Sequence, residues 1–231
     1  IDSEKIKVIY SGVGKQFRPN VIASEAKQSC GKNKIATSSR LNVRTPRNDM
    51  TDKYYLPDKF ILYFGTIEPR KNLIGLIKAF ELLKDKNIKL VIAGTKGWLY
   101  QDIFKTASQS KRKKDIIFTG FVKEEDKPYL YNLAQSFVYP SFFEGFGFPP
   151  LEAMACGIPT IVSANSSLPE VVGDAALMVN PKNIDELAQA METVSNDNKV
   201  RDQLIKKGLK QALRFSWEKC AQETLKVLTG F

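Results

Sequence analysis

The chain has 231 residues, 43% apolar and 26% charged, which is enough for a sizeable buried core and inconsistent with a wholly disordered polypeptide. A formal charge of +10, no histidine and three widely spaced cysteines (Cys30, Cys156, Cys220) exclude Ser-His-Asp and Cys-His catalysis and fit neither a disulfide framework nor a zinc site. No apolar run approaches the ~20 residues that cross a bilayer, and the opening "IDSEKIKVIY" lacks a signal-peptide pattern, so a reducing cytoplasm is the expected setting.

The chain starts on Ile1 rather than Met, as if inside something longer. Within residues 1–19, "SGVGKQ" (Ser11–Gln16) is not a phosphate-binding P-loop: it has no glycine five residues before Gly14-Lys15, and Gln16 stands where a hydroxyl is needed. It predicts a turn. Residues 20–50 are rich in Ser, Lys and Arg with few large apolar side chains, and predict a basic insertion of low order. Residues 1–55 carry +6 of the net charge, but residues 20–50 hold no aromatic side chain and no recognisable nucleic-acid-binding pattern, so nucleic acid is not an expected partner.

From Lys59 onward, short apolar runs alternate with helical patterns, the signature of βαβ units. Six strands are predicted, at residues 60–65, 89–94, 116–120, 136–140, 159–163 and 176–180. They make residues 56–231 one α/β domain, a Rossmann-like doubly wound parallel sheet. Asn72 is placed to cap a helix bearing Leu73, Leu76, Ile77, Phe80 and Leu83, and Asn183 with Glu186 forms a capping box for the next long one. Lys111-Arg112-Lys113-Lys114 reads as a solvated loop. After Ser216, Trp217, Cys220, Ala221, Thr224, Leu225 and Leu228 form a closing amphipathic helix whose apolar face needs a partner.

The most constrained stretch is Ser141–Thr160, "SFFEGFGFPPLEAMACGIPT". A strand ending at Pro140 enters a loop with Gly145 and Gly147, then a helix opening on Pro149 and Pro150 and stopping at Gly157. That order aims free N–H groups and the positive end of a helix dipole at the carboxyl edge of the sheet, where an anion binds. Glu144 and Glu152 frame the loop and are expected to face one crevice. Carboxylates beside an anion site are costly unless they accept hydrogen bonds, and sugar hydroxyls are suitable donors.

"EGFGFPPLEAMACGIPTIVSANSSLPEVVGDAALMV", "FGTIEPRKNLIGLIKAF" and "GFVKEEDKPYLYNLAQSFVYPS" resemble the retaining family 4 glycosyltransferases of the GT-B type over residues 56–231. The resemblance implies the C-terminal, donor-binding half of such an enzyme, with a nucleotide-diphosphate sugar as donor and no further cofactor. It places Glu152 on the ribose, Glu144 on the transferred sugar, the backbone N–H groups at Gly145, Phe146 and Gly147 around sugar and diphosphate, and Lys71 on the diphosphate, with Leu151 among the donor-binding residues. Gly65 and Thr66 follow the first strand, and Gly120, Phe121 and Val122 meet the base. Where many members have arginine, this chain has Thr66, and Arg70 is the expected substitute. No DxD pair is present, so the expected site holds no metal, with cations and dipoles stabilising the leaving diphosphate. Residues 1–19 then resemble the linker leaving an N-terminal acceptor domain, toward which the last helix runs back. A separately encoded N-terminal half and a lipid-linked acceptor at the inner face of the membrane are the partners implied, in envelope polysaccharide or glycoconjugate synthesis. A catalytically incomplete remnant, half of a split enzyme and a nucleotide-sugar epimerase share these motifs.

Overall fold

The computed structural model describes residues 8–19 and 46–229. Six parallel strands form its centre: β1 (Phe60–Phe64), β2 (Lys89–Ala93), β3 (Ile116–Gly120), β4 (Ser136–Tyr139), β5 (Thr160–Ser163) and β6 (Leu177–Val179), in the order β3-β2-β1-β4-β5-β6. Each lies within the run predicted for it or coincides with it. Uninterrupted apolar runs form strands here because helices cover both sides, and Phe60, Ile61, Leu62, Tyr63, Leu90, Val91 and Ile92 are buried.

The helices are α1 (Pro46–Tyr54), α2 (Leu73–Leu82), α3 (Gln101–Gln109), α4 (Lys127–Leu133), α5 (Phe148–Ala155), α6 (Leu168–Val172), α7 (Ile184–Asn196), α8 (Asn198–Ala212) and α9 (Trp217–Thr229). α2 packs with α3 and α7, and α5 packs with α4 and α8. Residues 46–50 of the expected insertion are therefore helical; the rest of that expectation, residues 20–45, lies outside the described residues. The Gly14 carbonyl accepts from Phe17 N–H at 3.1 Å, closing the turn predicted at Lys15, and Val13 N–H donates to Phe215 O, tying residues 8–19 to the start of α9.

Two local expectations need correction. Asn72 stands at the cap position of α2 in a left-handed conformation (φ 56°), but its side chain does not cap; its Nδ2 donates to Pro181 O at 2.7 Å and ties the turn after β1 to the loop after β6. Asn183 does accept from Glu186 N–H at 3.1 Å, whereas the returning Glu186 carboxylate reaches Asn180 N–H, one turn earlier than a capping box requires. α9, expected to need a partner for its apolar face, has no buried residue; Trp217 stacks on Phe148, and Leu225, Val227 and Leu228 are all more than half exposed, so most of that face is uncovered among the described residues.

Arg112 overturns the solvated-loop reading of its basic run. Its side chain is buried and donates to the carbonyls of Phe80, Asp85, Lys86 and Ile88 and to Asp115 Oδ2, with the guanidinium 3.9 Å from the Phe80 ring centroid. One planar cation thus satisfies the carbonyls that α2 and the turn before β2 leave open. Replacing it leaves the Asp85, Lys86 and Ile88 carbonyls without that donor, while Asp115 keeps Lys89 and Phe80 O keeps Leu83 N–H. Arg112→Ala should lower unfolding free energy in urea by about 3 kcal/mol, and a loss under ~1 kcal/mol would contradict this role.

Candidate functional site

The strand order reverses between β1 and β4, and the loops leaving these two strands diverge to enclose a crevice at the carboxyl edge. The loop after β1 carries Glu68, Arg70 and Lys71; the loop after β4 carries Glu144 and the glycines. Arg70 O accepts from Phe142 N–H at 2.8 Å and from Ser141 Oγ at 3.1 Å, joining the loops through the backbone.

Charged side chains join them again. Lys71, buried, donates from Nζ to Glu144 Oε1 at 2.5 Å and to the Tyr139 hydroxyl at 2.8 Å. Arg70 donates from Nη1 to Phe143 O at 2.6 Å and to Glu144 Oε2 at 3.3 Å, and from Nη2 to Glu68 Oε1 at 2.6 Å. Burial alone pushes the Glu144 carboxyl up, but the hydrogen bond from Lys71 and the charges of Lys71 and Arg70 outweigh it and hold the group below the usual range. The three residues expected to act on the donor's reacting end therefore form one ionised cluster.

The glycine loop is supported from behind by a segment the sequence reading did not single out. Asn165 Nδ2 donates to Phe142 O at 2.7 Å, Ser166 Oγ accepts from Glu144 N–H at 3.0 Å, and Ser167 Oγ donates to the carbonyls of Glu144 and Phe146 at 3.0 and 2.8 Å. With its carbonyls held there, the loop leaves the N–H groups of Gly145, Phe146 and Gly147 without a hydrogen bond among the described residues. Three consecutive free N–H groups before a helix make an anion-binding concavity. Gly147, at φ +114°, turns the chain into α5, while a side chain on Gly145 would meet open space. The Phe146 ring packs on Phe148 and Phe215, leaving its backbone for a ligand.

A cleft of about 310 Å³ opens over β1, β2 and β3, lined by Phe64, Gly65, Thr66, Gly94, Thr95, Phe121, Val122, Glu124 and Lys127. Gly65, Thr66, Phe121 and Val122 were expected there; Gly94 and Lys127 were not singled out. Gly94 has φ +140°, and a Cβ on it would lie 2.0 Å from Gly65 O, so only glycine lets the two strand ends approach. Gly120 (φ +72°) turns the chain off β3 and accepts from Gly94 N–H at 3.0 Å. Phe121, 69% exposed, presents a free ring. The Tyr54 hydroxyl on α1 donates to Asp126 at 2.5 Å and accepts from Lys123 N–H at 3.4 Å, bracing that wall.

Glu152 does not join Glu144. It projects from α5 toward α4, where its Oε2 accepts from the Tyr131 hydroxyl at 2.9 Å, and Oε1 has no hydrogen bond among the described residues. Its electrostatic neighbours are Lys127 and Glu124 of the cleft wall. Leu151 also departs from expectation: its side chain is wholly buried and its N–H bonds Gly147 O, so it packs the core. Among the described residues no group of three or more acidic, Cys or His side chains could hold a metal ion.

Burial pushes the Glu152 carboxyl up to about 7, against the opposing charge of Lys127 and the hydrogen bond from Tyr131. An acid raised by folding keeps its proton in the native state after the unfolded chain has lost it. Its contribution to stability is then complete below the ordinary carboxylate range and is lost as pH rises toward 7. Glu152→Gln should flatten the decline in stability between about pH 5 and pH 8 by about 2 kcal/mol, read from urea melts at both ends; parallel declines in the two proteins would refute the buried acid.

The "Glycosyl transferases group 1" family matches residues 50–211. O-antigen chain mannosyltransferase B of Escherichia coli is 41% identical over 198 residues, covering 83% of this chain and 52% of that protein. The chain thus spans about half the length of that relative. The C-terminal domain of a glycosyl transferase group 1 family protein (LpcC) from Francisella tularensis superposes with TM-score 0.64 at 25% identity, covering 74% of this chain and 93% of that one. Sucrose-phosphate synthase from Thermosynechococcus elongatus shares the fold with TM-score 0.77 at 24% identity, over 97% of this chain and 52% of that chain.

Proposed function

The chain belongs to the group 1 glycosyl transferases, and we propose that it binds a nucleotide-diphosphate sugar at the switch-point crevice as the donor half of a retaining hexosyltransferase of GT-B architecture. The observation that carries this reading is the row of unbonded N–H groups at Gly145–Gly147 beside the Arg70–Lys71–Glu144 cluster. Base and ribose lie over the cleft, with Phe121 against the base and Glu152 accepting from ribose hydroxyls through Oε1. The diphosphate lies against the loop N–H groups, Arg70 and Lys71, and Glu144 accepts from a hydroxyl of the sugar.

In the reaction an acceptor hydroxyl oxygen bonds to the anomeric carbon from the face the phosphate leaves, as the carbon–oxygen bond to phosphate breaks. The acceptor's proton passes to the departing phosphate oxygen, giving a glycoside and a nucleoside diphosphate. Arg70, Lys71 and the N–H groups stabilise the charge gathering on that diphosphate. Glu144, already bonded to two cations, positions the sugar and is no nucleophile. Its E. coli relative carries the name O-antigen chain mannosyltransferase B, which supports a mannosyl donor and an envelope polysaccharide as product. The acceptor would be presented by an N-terminal unit or a lipid-linked chain at the membrane surface; the described residues hold no helix long and apolar enough to cross it.

Thermal-shift screening against UDP-, GDP- and ADP-sugars should show stabilisation of the chain by one nucleotide class, with GDP-mannose the leading candidate. At a ligand excess of about 100 Kd, binding stabilises by ~2.7 kcal/mol. Glu152→Ala should cut that shift by more than half. Equal shifts in both proteins would remove Glu152 from the site, and no shift with any sugar nucleotide would sink the reading.

A further inference from the structure

Glu68 is the member of the charged cluster to which the transfer chemistry gives no task. It is 7% exposed, and a buried carboxylate close to an anion site repels the anion. Both its oxygens are engaged: Oε1 accepts from Arg70 Nη2 at 2.6 Å and Oε2 from the Trp98 indole N–H at 2.9 Å. Trp98 lies on the loop after β2, 59% exposed, followed by Leu99 in a left-handed conformation (φ 49°). That loop is anchored to the turn after β1 by Gly97 N–H donating to Ile67 O at 3.0 Å.

We propose that Glu68 is a positioning residue that keeps the Arg70 guanidinium from closing on Glu144, and that the Trp98 indole directs it; this rests on the donor-binding reading. A guanidinium beside a carboxylate favours a forked pair of short parallel bonds. Arg70 makes no such fork with Glu144, only one contact of 3.3 Å, while its bonds to Glu68 and Phe143 O are both 2.6 Å. These two shorter bonds hold the guanidinium plane. Released from Glu68, Arg70 would rotate into a fork on Glu144, whose Oε1 already belongs to Lys71, and the sugar would lose its acceptor.

The indole closes the opposite escape. With Oε2 taken by Trp98, Arg70 reaches only Oε1 and cannot fork on Glu68 either. Poised between two acids, the guanidinium spends three of its five N–H groups on protein acceptors and keeps two for a phosphoryl oxygen. Glu68 and Trp98 therefore act on donor discrimination, through Arg70, without touching the donor.

The test is the ratio of affinities for a sugar nucleotide and its bare nucleoside diphosphate, measured by calorimetry with GDP-mannose against GDP and with UDP-glucose against UDP. In the unaltered chain the sugar nucleotide should bind more tightly. Glu68→Gln should lower that preference by about tenfold, through weaker binding of the sugar nucleotide with the diphosphate equal or tighter. Trp98→Phe, which keeps a ring and removes the N–H, should lower it in the same direction by about threefold. Adding Glu68→Gln to Glu144→Gln should change it no further, since both act on one contact. A preference that survives Glu68→Gln, or an equal weakening of both ligands in a chain that still melts cooperatively, overturns the assignment. If the unaltered chain binds neither pair, the donor-binding reading itself falls and takes this one with it, a result distinct from an unchanged ratio in a chain that binds.

Discussion

The ion pair between Lys71 and Glu144 joins the two loops that part at the centre of the sheet, and the rest of the site is arranged around it. Burying two charges costs several kcal/mol per ion unless each is paired and hydrogen-bonded. Here Lys71 has Glu144 and Tyr139, and Glu144 has Lys71 and Arg70. The spacing follows from the sheet, because β1 and β4 pair in the register Ile61↔Ser136 and Leu62↔Phe137. A slip of one residue would invert the side chains of β4 and move Tyr139 off the Lys71 ammonium.

The two halves of the sheet contribute different chemistry to the crevice. Strands β1 to β3 end in Gly65, Gly94 and Gly120, each with positive φ, and their close approach leaves the cleft walled by backbone, Phe121 and Lys127. Strands β4 and β5 lead into the glycine loop and the Asn165–Ser167 turn that fixes its carbonyls. Hydroxyl and amide side chains satisfy those carbonyls without consuming the N–H groups of Gly145, Phe146 and Gly147, so the loop holds its shape with that row of donors open.

Strands and the major helices were legible in the sequence because their signal is periodic and local. The charged cluster was legible in part: Arg70, Lys71 and Glu144 stood out through the resemblance and their places after strand ends, and the fold brings them into contact. What escaped is long-range. Arg112 looks like one cation in a polar run, and only the convergence of four carbonyls from distant residues makes it a buried organiser. Glu68 and Trp98 are 30 positions apart, and nothing local links an indole to an acid. Glu144 and Glu152 were expected to face one crevice; the turn at Gly147 separates them, and α5 sets the second acid on Tyr131 beside Lys127 and Glu124 of the cleft wall, contacts that no local pattern announces. The exposed face of α9 was legible as amphipathic, but periodicity cannot supply the surface that covers it.

On the donor-binding reading, electrostatics ties the phosphate and sugar ends of the crevice together. Glu68 and Glu144 balance Arg70 and Lys71, so without ligand the cluster is close to neutral, and attraction for an anion rests on the loop N–H groups and the unspent donors of Arg70. On the donor-binding reading, a phosphoryl oxygen must share Lys71 with Glu144. Whatever proton-donating capacity Lys71 turns toward phosphate it withdraws from the carboxylate, which becomes a better acceptor for a sugar hydroxyl. Phosphate and sugar therefore reinforce one another through a single ammonium group. In the proposed reaction, as the anomeric carbon–oxygen bond to phosphate stretches and charge gathers on the diphosphate, that group would shift further toward the leaving side while Glu144 tightens on the sugar. Such stabilisation grows toward the transition state and is what raises a rate, beyond simple donor affinity.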